Sequence, residues 1–291
     1  SFPTRRSSDL LRVLDREAGV LGLHQIGFSE ETLGRFRALL HRPHGLVLVT
    51  GPTGSGKTTT LYAGLRELNS LEKNIVTIED PVEYQFEIIN QNQVRDEIGL
   101  TFARVLRHTL RQDPDIIMVG EIRDSETAEI AVQAALTGHL VLSTMHTNDA
   151  SSSISRLLEM GIESYLLASS LIGVVGQRLV RTVCPDCMTR YMPTKPELAT
   201  LGIPEDRKIQ LTRGRGCSSC FDSGYRGRLG IYELVQIDHE LQHLILRDPS
   251  LEEIRRHQAN HDLPTLQSEG FRRVIEGKTT LEEVGRAVSI E

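Results

Sequence analysis

The run Gly51-Pro-Thr-Gly-Ser-Gly-Lys-Thr58 constrains this chain more than any other feature of its sequence. It follows a short apolar run, Leu46 to Val49, that predicts a buried strand, and it precedes helical spacing from Lys57 to about Leu68. Glycines between a strand and a helix let backbone N–H groups point at an anion in front of the helix N-terminus. The pattern predicts a nucleoside triphosphate site, with Lys57 at the β- and γ-phosphates and Thr58 at Mg²⁺. The residues assigned to nucleotide binding are Gly51, Pro52, Thr53, Gly54, Ser55, Gly56, Lys57, Thr58 and Thr59.

Apolar runs of strand length recur along the chain and alternate with stretches of helical spacing. Further strands are predicted at Ile75–Ile78, Ile116–Val119 and Leu140–Leu142, with helices at Phe102–Leu110, at Thr127–Leu136 and from Asn148 or Asp149 to Met160. Continuous apolar strands separated by helices are typical of a parallel sheet that is covered on both faces. The predicted fold class is therefore α/β, with short helices following in the C-terminal part.

Carboxylates stand at the ends of two predicted strands. Glu121 follows the strand that ends at Val119, and the neighbouring strand is followed by Glu79, Asp80 and Glu83. Phosphoryl transfer to water needs a metal ion and a residue that orients or deprotonates the water. We expect Glu121 to be the water-activating base and the other three carboxylates to assist Mg²⁺ and water. The alternative is that all four are surface carboxylates.

Two histidines flank the fourth predicted strand. His139 precedes it and His146 follows it, and we expect both to lie at the γ-phosphate edge and to sense that phosphate. A structural role is the alternative for each. Arginines at positions 104, 111 and 123 are further candidates for contacts with phosphate or with a neighbouring subunit, and Arg123 is included among the predicted catalytic residues.

The four cysteines form two close pairs, Cys184-Pro-Asp-Cys187 and Cys217-Ser-Ser-Cys220. Four thiolates in two Cys-x-x-Cys pairs are typical of a closed, tetrahedral structural Zn²⁺ site. Reduced thiols without a metal are the main alternative. A redox role is disfavoured, because neither pair opens a helix after a strand as in thioredoxin-like sites.

Charge and hydropathy restrict the classes of partner. The 291 residues carry a net charge of −6 and are 4% aromatic, which argues against a nucleic-acid partner. No stretch has the ~18 consecutive apolar residues of a membrane span. Membrane association would therefore depend on a partner protein. Two functions of other classes stay open on this evidence, a RecA-like nucleic-acid motor and a nucleotide-binding scaffold that does not hydrolyse ATP.

Several motifs together resemble those of the type II/type IV secretion ATPases, and the similarity extends from about Leu11 to the C-terminus. Gly216-Cys-Ser-Ser-Cys220 followed by Gly224–Glu233 is similar to the zinc-containing assembly branch, which includes the GspE and PilB ATPases. Three further motifs carry the resemblance. Ile78–Tyr84 is similar to the family's aspartate box and Leu110–Asp124 to its signature sequence. Thr137–Thr147 is similar to its histidine box.

The resemblance implies a RecA-like ATPase core, a homo-hexameric ring and a cytoplasmic location at the inner membrane through secretion components. Leu179–Cys187 and Leu281–Val284 resemble the type II secretion subfamily, with the PilB-like pilus assembly ATPases as the alternative. ATP hydrolysis would then drive the addition of pseudopilin subunits and protein export. Arg12 matches an arginine that an additional N-terminal domain of the family places against the nucleotide.

The expected organisation follows the changes in composition along the chain. Residues 1–10 resemble a translated sequencing adapter, with a disordered tail as the alternative, and residues 11–32 resemble the last stretch and linker of an N-terminal domain. We expect the ATPase core at residues 33–182, the tetracysteine zinc module at 183–230 and a helical subdomain at 231–291.

Overall fold

The computed structural model describes residues 21–261 and 263–288. The helices are α1 (Glu30–Leu40), α2 (Lys57–Leu68), α3 (Phe102–Thr109), α4 (Ser125–Leu136), α5 (Ala150–Glu159), α6 (Ser164–Ser170), α7 (Lys195–Thr200), α8 (His239–Ile245), α9 (Leu251–Asn260), α10 (Leu266–Ile275) and α11 (Leu281–Ala287). The strands are β1 (Gly45–Thr50), β2 (Ile75–Glu79), β3 (Asn90–Gln93), β4 (Ile116–Val119), β5 (Leu140–Met145), β6 (Leu171–Val183), β7 (Met188–Tyr191), β8 (Leu211–Gly214) and β9 (Tyr225–Gln236).

Seven strands form one sheet in the order β3-β2-β4-β5-β1-β6-β9. Every neighbouring pair in it is parallel except β6 with β9, which is antiparallel. The predicted α/β class with a mainly parallel sheet is confirmed, and so are the four predicted strands, which are β1, β2, β4 and β5. The helical C-terminal part is likewise present as α8 to α11.

Both faces of the sheet are buried. Leu46 and Leu48 of β1 contribute to a core shared with α3, α4, α5 and α6, whereas Val47 and Val49 face the opposite way into a core shared with α1 and α2. Side chains alternate between the two faces of a strand, so a strand covered on both sides must be apolar throughout. This is why β1, β4 and the first half of β5 read as continuous apolar runs.

Local capping fixes where the helices begin. Asp124 accepts a hydrogen bond from the N–H of Thr127 at the start of α4, and Asp149 does the same for Ser152 at the start of α5. Asp side chains in these positions satisfy donors that the first helical turn leaves unpaired. Each cap starts its helix shortly after the carboxyl end of a strand, and so leaves Glu121 and His146 in the short connections.

The tetracysteine segment extends from the two longest strands. β6 and β9 pair along most of their length, and the segment between them carries the small β7–β8 sheet and α7. The expected boundaries of the zinc module, between residues 182 and 183 and between residues 230 and 231, fall inside β6 and β9. Both of these strands belong to the main sheet. The other expected domain limits stay a prediction, and residues 1–20 lie outside the described part of the chain.

The helices are short, and α2 and α4 have 12 residues each. Among the described residues, none of the helices combines the length and the apolar character needed to cross a membrane.

Candidate functional site

The loop between β1 and α2 has the backbone that its glycines predict. Gly51, Gly54 and Gly56 all have positive φ angles, of 150°, 79° and 89°. A Cβ on Gly51 would lie 2.4 Å from the carbonyl oxygen of Gln177, so only glycine fits there. Gly56 precedes α2 without a side-chain cap, which leaves the first N–H groups of α2 to be satisfied by water or an anion. The loop thus has the form of a phosphate cradle.

Lys57 lies beneath this cradle with its side chain turned back on the loop. Its ammonium donates to the carbonyl oxygens of Gly51 at 2.8 Å and Pro52 at 3.2 Å. Burial lowers the pKa of Lys57, while the negative charge of Glu121 opposes that shift. A buried ammonium held by two neutral carbonyls is well placed to exchange them for charged phosphate oxygens, which form stronger hydrogen bonds.

Gln177 of β6 fastens the loop to the sheet, and sequence patterns did not single it out. Its side-chain amide donates to the carbonyl of Ser55 at 2.8 Å, and its carbonyl oxygen accepts from the hydroxyl of Thr60 at 2.8 Å. The residue is 1% exposed. Both hydrogen bonds therefore form away from water and hold the loop and the first turn of α2 in a fixed position.

Glu121 lies where the ends of three strands meet. The preceding residue, Gly120, donates to the carbonyl of Ile78 at 2.8 Å and accepts from the hydroxyl of Thr144 at 2.8 Å. The Glu121 side chain is 11% exposed, and one of its oxygens lies 3.2 Å from Nε2 of His146. Its other oxygen forms an ion pair with Arg123. The backbone thus fixes the carboxylate, while two exposed side chains hold it from the solvent side.

Glu79, the last residue of β2, is more deeply buried than its predicted catalytic role suggests. It is 3% exposed and accepts hydrogen bonds from the hydroxyls of Tyr62 and Thr77 and from the amide of Gln91 at 3.0 Å. Burial and the hydrogen bond to Glu79 raise the pKa of Tyr62. The same Tyr62 hydroxyl accepts from the backbone N–H of Glu83 at 3.2 Å. Glu79 therefore organises the segment that carries the other carboxylates.

The two predicted histidines lie at opposite ends of β5. His146 follows its carboxyl end and contacts Glu121. His139 precedes its amino end, where its carbonyl accepts from Gly45 at the start of β1 and its ring lies 2.9 Å from the carbonyl of Ala134. The expectation that both histidines lie at the γ-phosphate edge is wrong, because they lie at opposite ends of β5 and the length of the strand separates them. His139 closes the end of α4 instead.

The arginines differ in where they lie. Arg123 pairs with Glu121, whereas Arg104 turns away and donates to the carbonyl of Gly99 at 3.2 Å. Arg12 lies outside the described residues. Arg228 of β9, which no motif singled out for this role, lines the same cavity as the phosphate-binding loop. It is contributed by a strand some 170 residues further along the chain, so local spacing could not have indicated it.

These groups surround one cleft of about 440 Å³ at the carboxyl edge of the sheet. Crevices at this edge are where α/β sheets bind ligands. Phosphate-binding backbone, a buried lysine and several carboxylates converge there, which is the set of groups that phosphoryl transfer requires. The predicted site residues that line the cleft are Thr53, Gly54, Gly56, Lys57, Thr58, Thr59, Glu79, Asp80, Glu83, Glu121 and His146.

The two cysteine pairs converge at the far ends of β6 and β9. Sγ of Cys184 lies 3.9 Å from that of Cys217, and Sγ of Cys187 lies 3.9 Å from that of Cys220. All four sulfur atoms lie within 4.8 Å of one another. Four sulfurs at about 2.3 Å from a tetrahedral Zn²⁺ would be separated by about 3.8 Å. The thiols therefore fit a zinc ion without rearrangement.

Backbone N–H groups favour the thiolate form that a metal needs. The N–H groups of Cys217 and Gly224 each lie 3.3 Å from Sγ of Cys220. Burial opposes ionisation of this thiol, but these two hydrogen bonds, together with those from the thiols of Cys217 and Cys187, bring the pKa of Cys220 down to about 7. Such donors are the usual second layer around a metal-bound sulfur. The cysteine cluster predicted from the sequence is thus present in the structure.

Comparison with known proteins identifies the group to which this architecture is related. A protein-family model described as "Type II/IV secretion system protein" matches residues 2–286. The chain is 54% identical to "Type II secretion system protein E" of Pseudomonas aeruginosa over 97% of its own length and 56% of that protein. It is 49% identical to "Type IV pilus assembly ATPase PilB" of Myxococcus xanthus, over 94% of this chain and 49% of that protein. The chain thus spans about half the length of these relatives.

A solved structure supports the same relationship. The crystal structure of the pilus retraction motor PilT with bound ADP superposes with a TM-score of 0.71 at 30% identity. The alignment covers 94% of this chain and 68% of PilT. Fold and sequence are therefore shared with a nucleotide-binding motor across nearly all of the chain.

Proposed function

The chain belongs to the type II/IV secretion system protein family, and on that basis we propose that it is an ATP-hydrolysing motor that powers assembly of a type II secretion pseudopilus and protein export. The 54% identity to a type II secretion system protein E supports this system. The alternative is a PilB-like pilus assembly motor, which the 49% identity to a PilB keeps open.

One observation carries the proposal: Lys57 of the phosphate-binding loop and Glu121, which follows β4, line the same cleft. Hydrolysis requires a fixed triphosphate and a carboxylate near the attacking water. The loop and α2 would hold the phosphates, and Lys57 would contact the β- and γ-phosphates. Glu121, fixed through the backbone on either side, would orient and deprotonate the water.

Mg²⁺ supplies charge neutralisation at the phosphates, and the donor set of the cleft fits it. Thr58, in the first turn of α2, offers a hydroxyl, while Asp80 and Glu83 offer exposed or half-buried carboxylates beside it. Glu79 already accepts three hydrogen bonds, so we assign it to positioning this acidic segment. His146 would report on the γ-phosphate through its contact with Glu121.

Arg123 and Arg12 would make contacts with the nucleotide or with an adjoining subunit. Arg123 is exposed and paired with Glu121, so it can leave that carboxylate and meet a phosphate or an adjoining subunit. We assign Arg12, on the family resemblance, to contacts with the nucleotide. His139 has no place in this mechanism, because it lies at the other edge of the sheet.

The assembled form is proposed from the family as well. We infer a homo-hexameric ring that docks from the cytoplasm onto components of the inner membrane. The tetracysteine cluster would hold one Zn²⁺ in a structural role, since four thiolates leave no open coordination position for a substrate.

A chimera tests the proposed system. The matching segment of the Pseudomonas aeruginosa protein would be replaced by this chain, and secreted protein would be measured in the medium. We expect secretion to be restored, and a chimera with Lys57→Ala to fail as the control. A parallel chimera in the Myxococcus xanthus PilB should not restore pili. Pilus recovery without secretion would instead assign the chain to pilus assembly.

A further inference from the structure

We propose that Asp238, His257 and His261 form a second metal site, for a divalent transition-metal ion, where α8 and α9 meet. The site is separate from the four cysteines and from the nucleotide cleft. One ligand atom from each of the three residues lies within 4.8 Å of the others. Two come from the end of α9 and one from the start of α8, so an ion would join the two helices.

The histidines have the spacing that places two imidazoles on one side of a helix. His257 and His261 are four residues apart, and their ring centroids are 4.2 Å apart. Residues i and i+4 lie one above the other on a helix, and two histidines so placed are a common half of a zinc site. The rings therefore present their nitrogens to the same volume of space.

The tautomer of His261 is set by the backbone. Its Nδ1 lies 2.9 Å from the carbonyl oxygen of His257, which can only accept, so Nδ1 must carry the proton. The lone pair of the neutral ring is then on Nε2. A metal-binding histidine usually donates its other N–H to a carbonyl or carboxylate in this way, which orients the ring and strengthens the ligand.

The side chain of His257 provides an independent observation that points to a ligand. Its side chain is only 9% exposed, and its Nε2 is buried without a hydrogen bond. Oδ2 of Asp238 lies 3.5 Å from this nitrogen. A buried polar atom without a partner is costly and calls for an explanation. An ion between this nitrogen and the carboxylate would provide one.

Carboxylates complete the donor set. Oδ1 of Asp238 caps α8 by accepting from the N–H of Leu241 at 2.8 Å, which leaves Oδ2 for a ligand. Glu240 lies 3.2 Å from Nε2 of His261 and offers a further oxygen. Imidazole nitrogens with carboxylate oxygens suit Zn²⁺, Co²⁺, Ni²⁺ or Cu²⁺ rather than Ca²⁺ or Mg²⁺. Asp238 is half-exposed and Glu240 largely exposed, which leaves room for water as a remaining ligand.

Co²⁺ is a suitable probe, because its visible absorption reports its ligands. Protein that carries about one Zn²⁺ per chain, held by the four cysteines, would be titrated with Co²⁺ and followed by calorimetry and absorption. Zn²⁺ binds thiolates more tightly than Co²⁺ and should keep the cysteines, while the limited zinc leaves the proposed site to Co²⁺. We expect one further Co²⁺ per chain, with d–d bands and without the near-ultraviolet sulfur-to-cobalt charge transfer. No binding, or binding with sulfur charge transfer, would overturn the proposal.

Substitutions of the three proposed ligands test whether they bind the ion. His261→Ala and the pair His257→Gln with His261→Ala should lose this second binding event. Asp238→Asn keeps a residue that caps helices well, so it should fold normally and weaken Co²⁺ binding by about tenfold or more.

The matched control is His239→Ala with His243→Ala, an exposed pair of the same spacing on α8. This variant should bind Co²⁺ as the parent does. If the control loses the ion, or if Asp238→Asn and the His257/His261 variants keep it, the assignment fails.

Discussion

Gln177 lies 117 residues after Thr60 and 122 after Ser55, yet it holds both in place. No local pattern marks such a residue, because its role depends on β6 lying beside β1. Lys57 and Glu121 were predictable from the sequence since each belongs to a short motif at a strand end. His139 shows the limit of that reasoning: a residue next to a strand lies at the functional edge only if it follows the strand.

Replacing Lys57 by alanine should weaken ATP binding. The variant loses hydrogen bonds from an ammonium to the phosphates, each worth about 1.5–3 kcal/mol, which corresponds to about 10- to 100-fold in affinity. Titration with a fluorescent ATP analogue measures the change. Lys195→Ala, an exposed lysine of α7, is the control and should bind as the parent does. Equal affinity in the Lys57 variant would show that the loop binds phosphate without its lysine.

Gln177→Leu should destabilise the fold and the phosphate-binding loop together. The change removes two buried hydrogen bonds and leaves the Ser55 carbonyl unpaired, at a cost of about 1–3 kcal/mol. The Thr60 hydroxyl keeps only its contact with Tyr232. Urea unfolding measures the loss, and ATP affinity should fall with it. Gln133→Leu on the exposed face of α4 is the control. An unchanged unfolding midpoint would contradict the role assigned to Gln177.

At the scale of elements, hydrophobic periodicity was sufficient for the parts that are buried on both faces. Strands β1, β2, β4 and β5 and helices α2 to α5 were predicted because burial dictates their apolar residues. β3 was not predicted, because Asn90–Gln93 is polar and lies at the edge of the sheet. β9 was not predicted, because its first half, Tyr225–Leu229, is largely exposed and lies among the glycines and cysteines of the adjoining segment.

Glu283 ties α11 to β6. Its side chain is fully buried, and burial alone would favour the neutral acid, but hydrogen bonds from Arg286 and Arg181 hold the pKa of Glu283 at about 2. A carboxyl whose pKa falls from 4.5 to about 2 on folding adds stability above pH 4.5 and loses it as the pH falls toward 2.

Glu283→Gln should therefore be less stable than the parent by about 3 kcal/mol at pH 7, with the difference shrinking as the pH is lowered below 4.5. The contribution is lost between pH 4.5 and about 2, so urea unfolding of both proteins at about pH 7 and at about pH 3 measures it. Glu282→Gln, the exposed neighbour, is the control. A difference that does not depend on pH would contradict the ionic role of Glu283.

The buried apolar residues of the tetracysteine segment, such as Leu201 and Leu211, belong to a cluster shared with β6, β9, α10 and α11. The cysteine turns lie outside that cluster and should depend on the metal. We expect about one Zn²⁺ per chain, and a strong chelator or Cys217→Ser should remove it and increase hydrogen exchange over residues 184–224. Exchange in β1 and β4 should change little. Ser219→Ala in the same turn is the control. Full protection of this segment without metal would refute a structural zinc site.

At the scale of the whole molecule, the parallel sheet assembles the nucleotide cleft from distant parts of the sequence. The carboxyl ends of β1, β2, β4 and β5 bring together Lys57, Glu79, Glu121 and His146, and β9 adds Arg228. Sequence patterns predicted the strands and most of these residues but not their order across the sheet. That order decides which residues meet, and it depends on contacts between segments far apart in the chain.

The most direct test of the proposed function is a comparison of ATP binding and ATP turnover in Glu121→Gln. Glutamine keeps the size of the side chain but cannot take a proton from water. We expect ATP affinity close to that of the parent and a fall in phosphate release of about 100-fold or more. Glu129→Gln, on the exposed face of α4, should match the parent in both. Turnover retained in Glu121→Gln, with ATP binding intact, would contradict the assignment of Glu121 as the base of an ATP-hydrolysing motor.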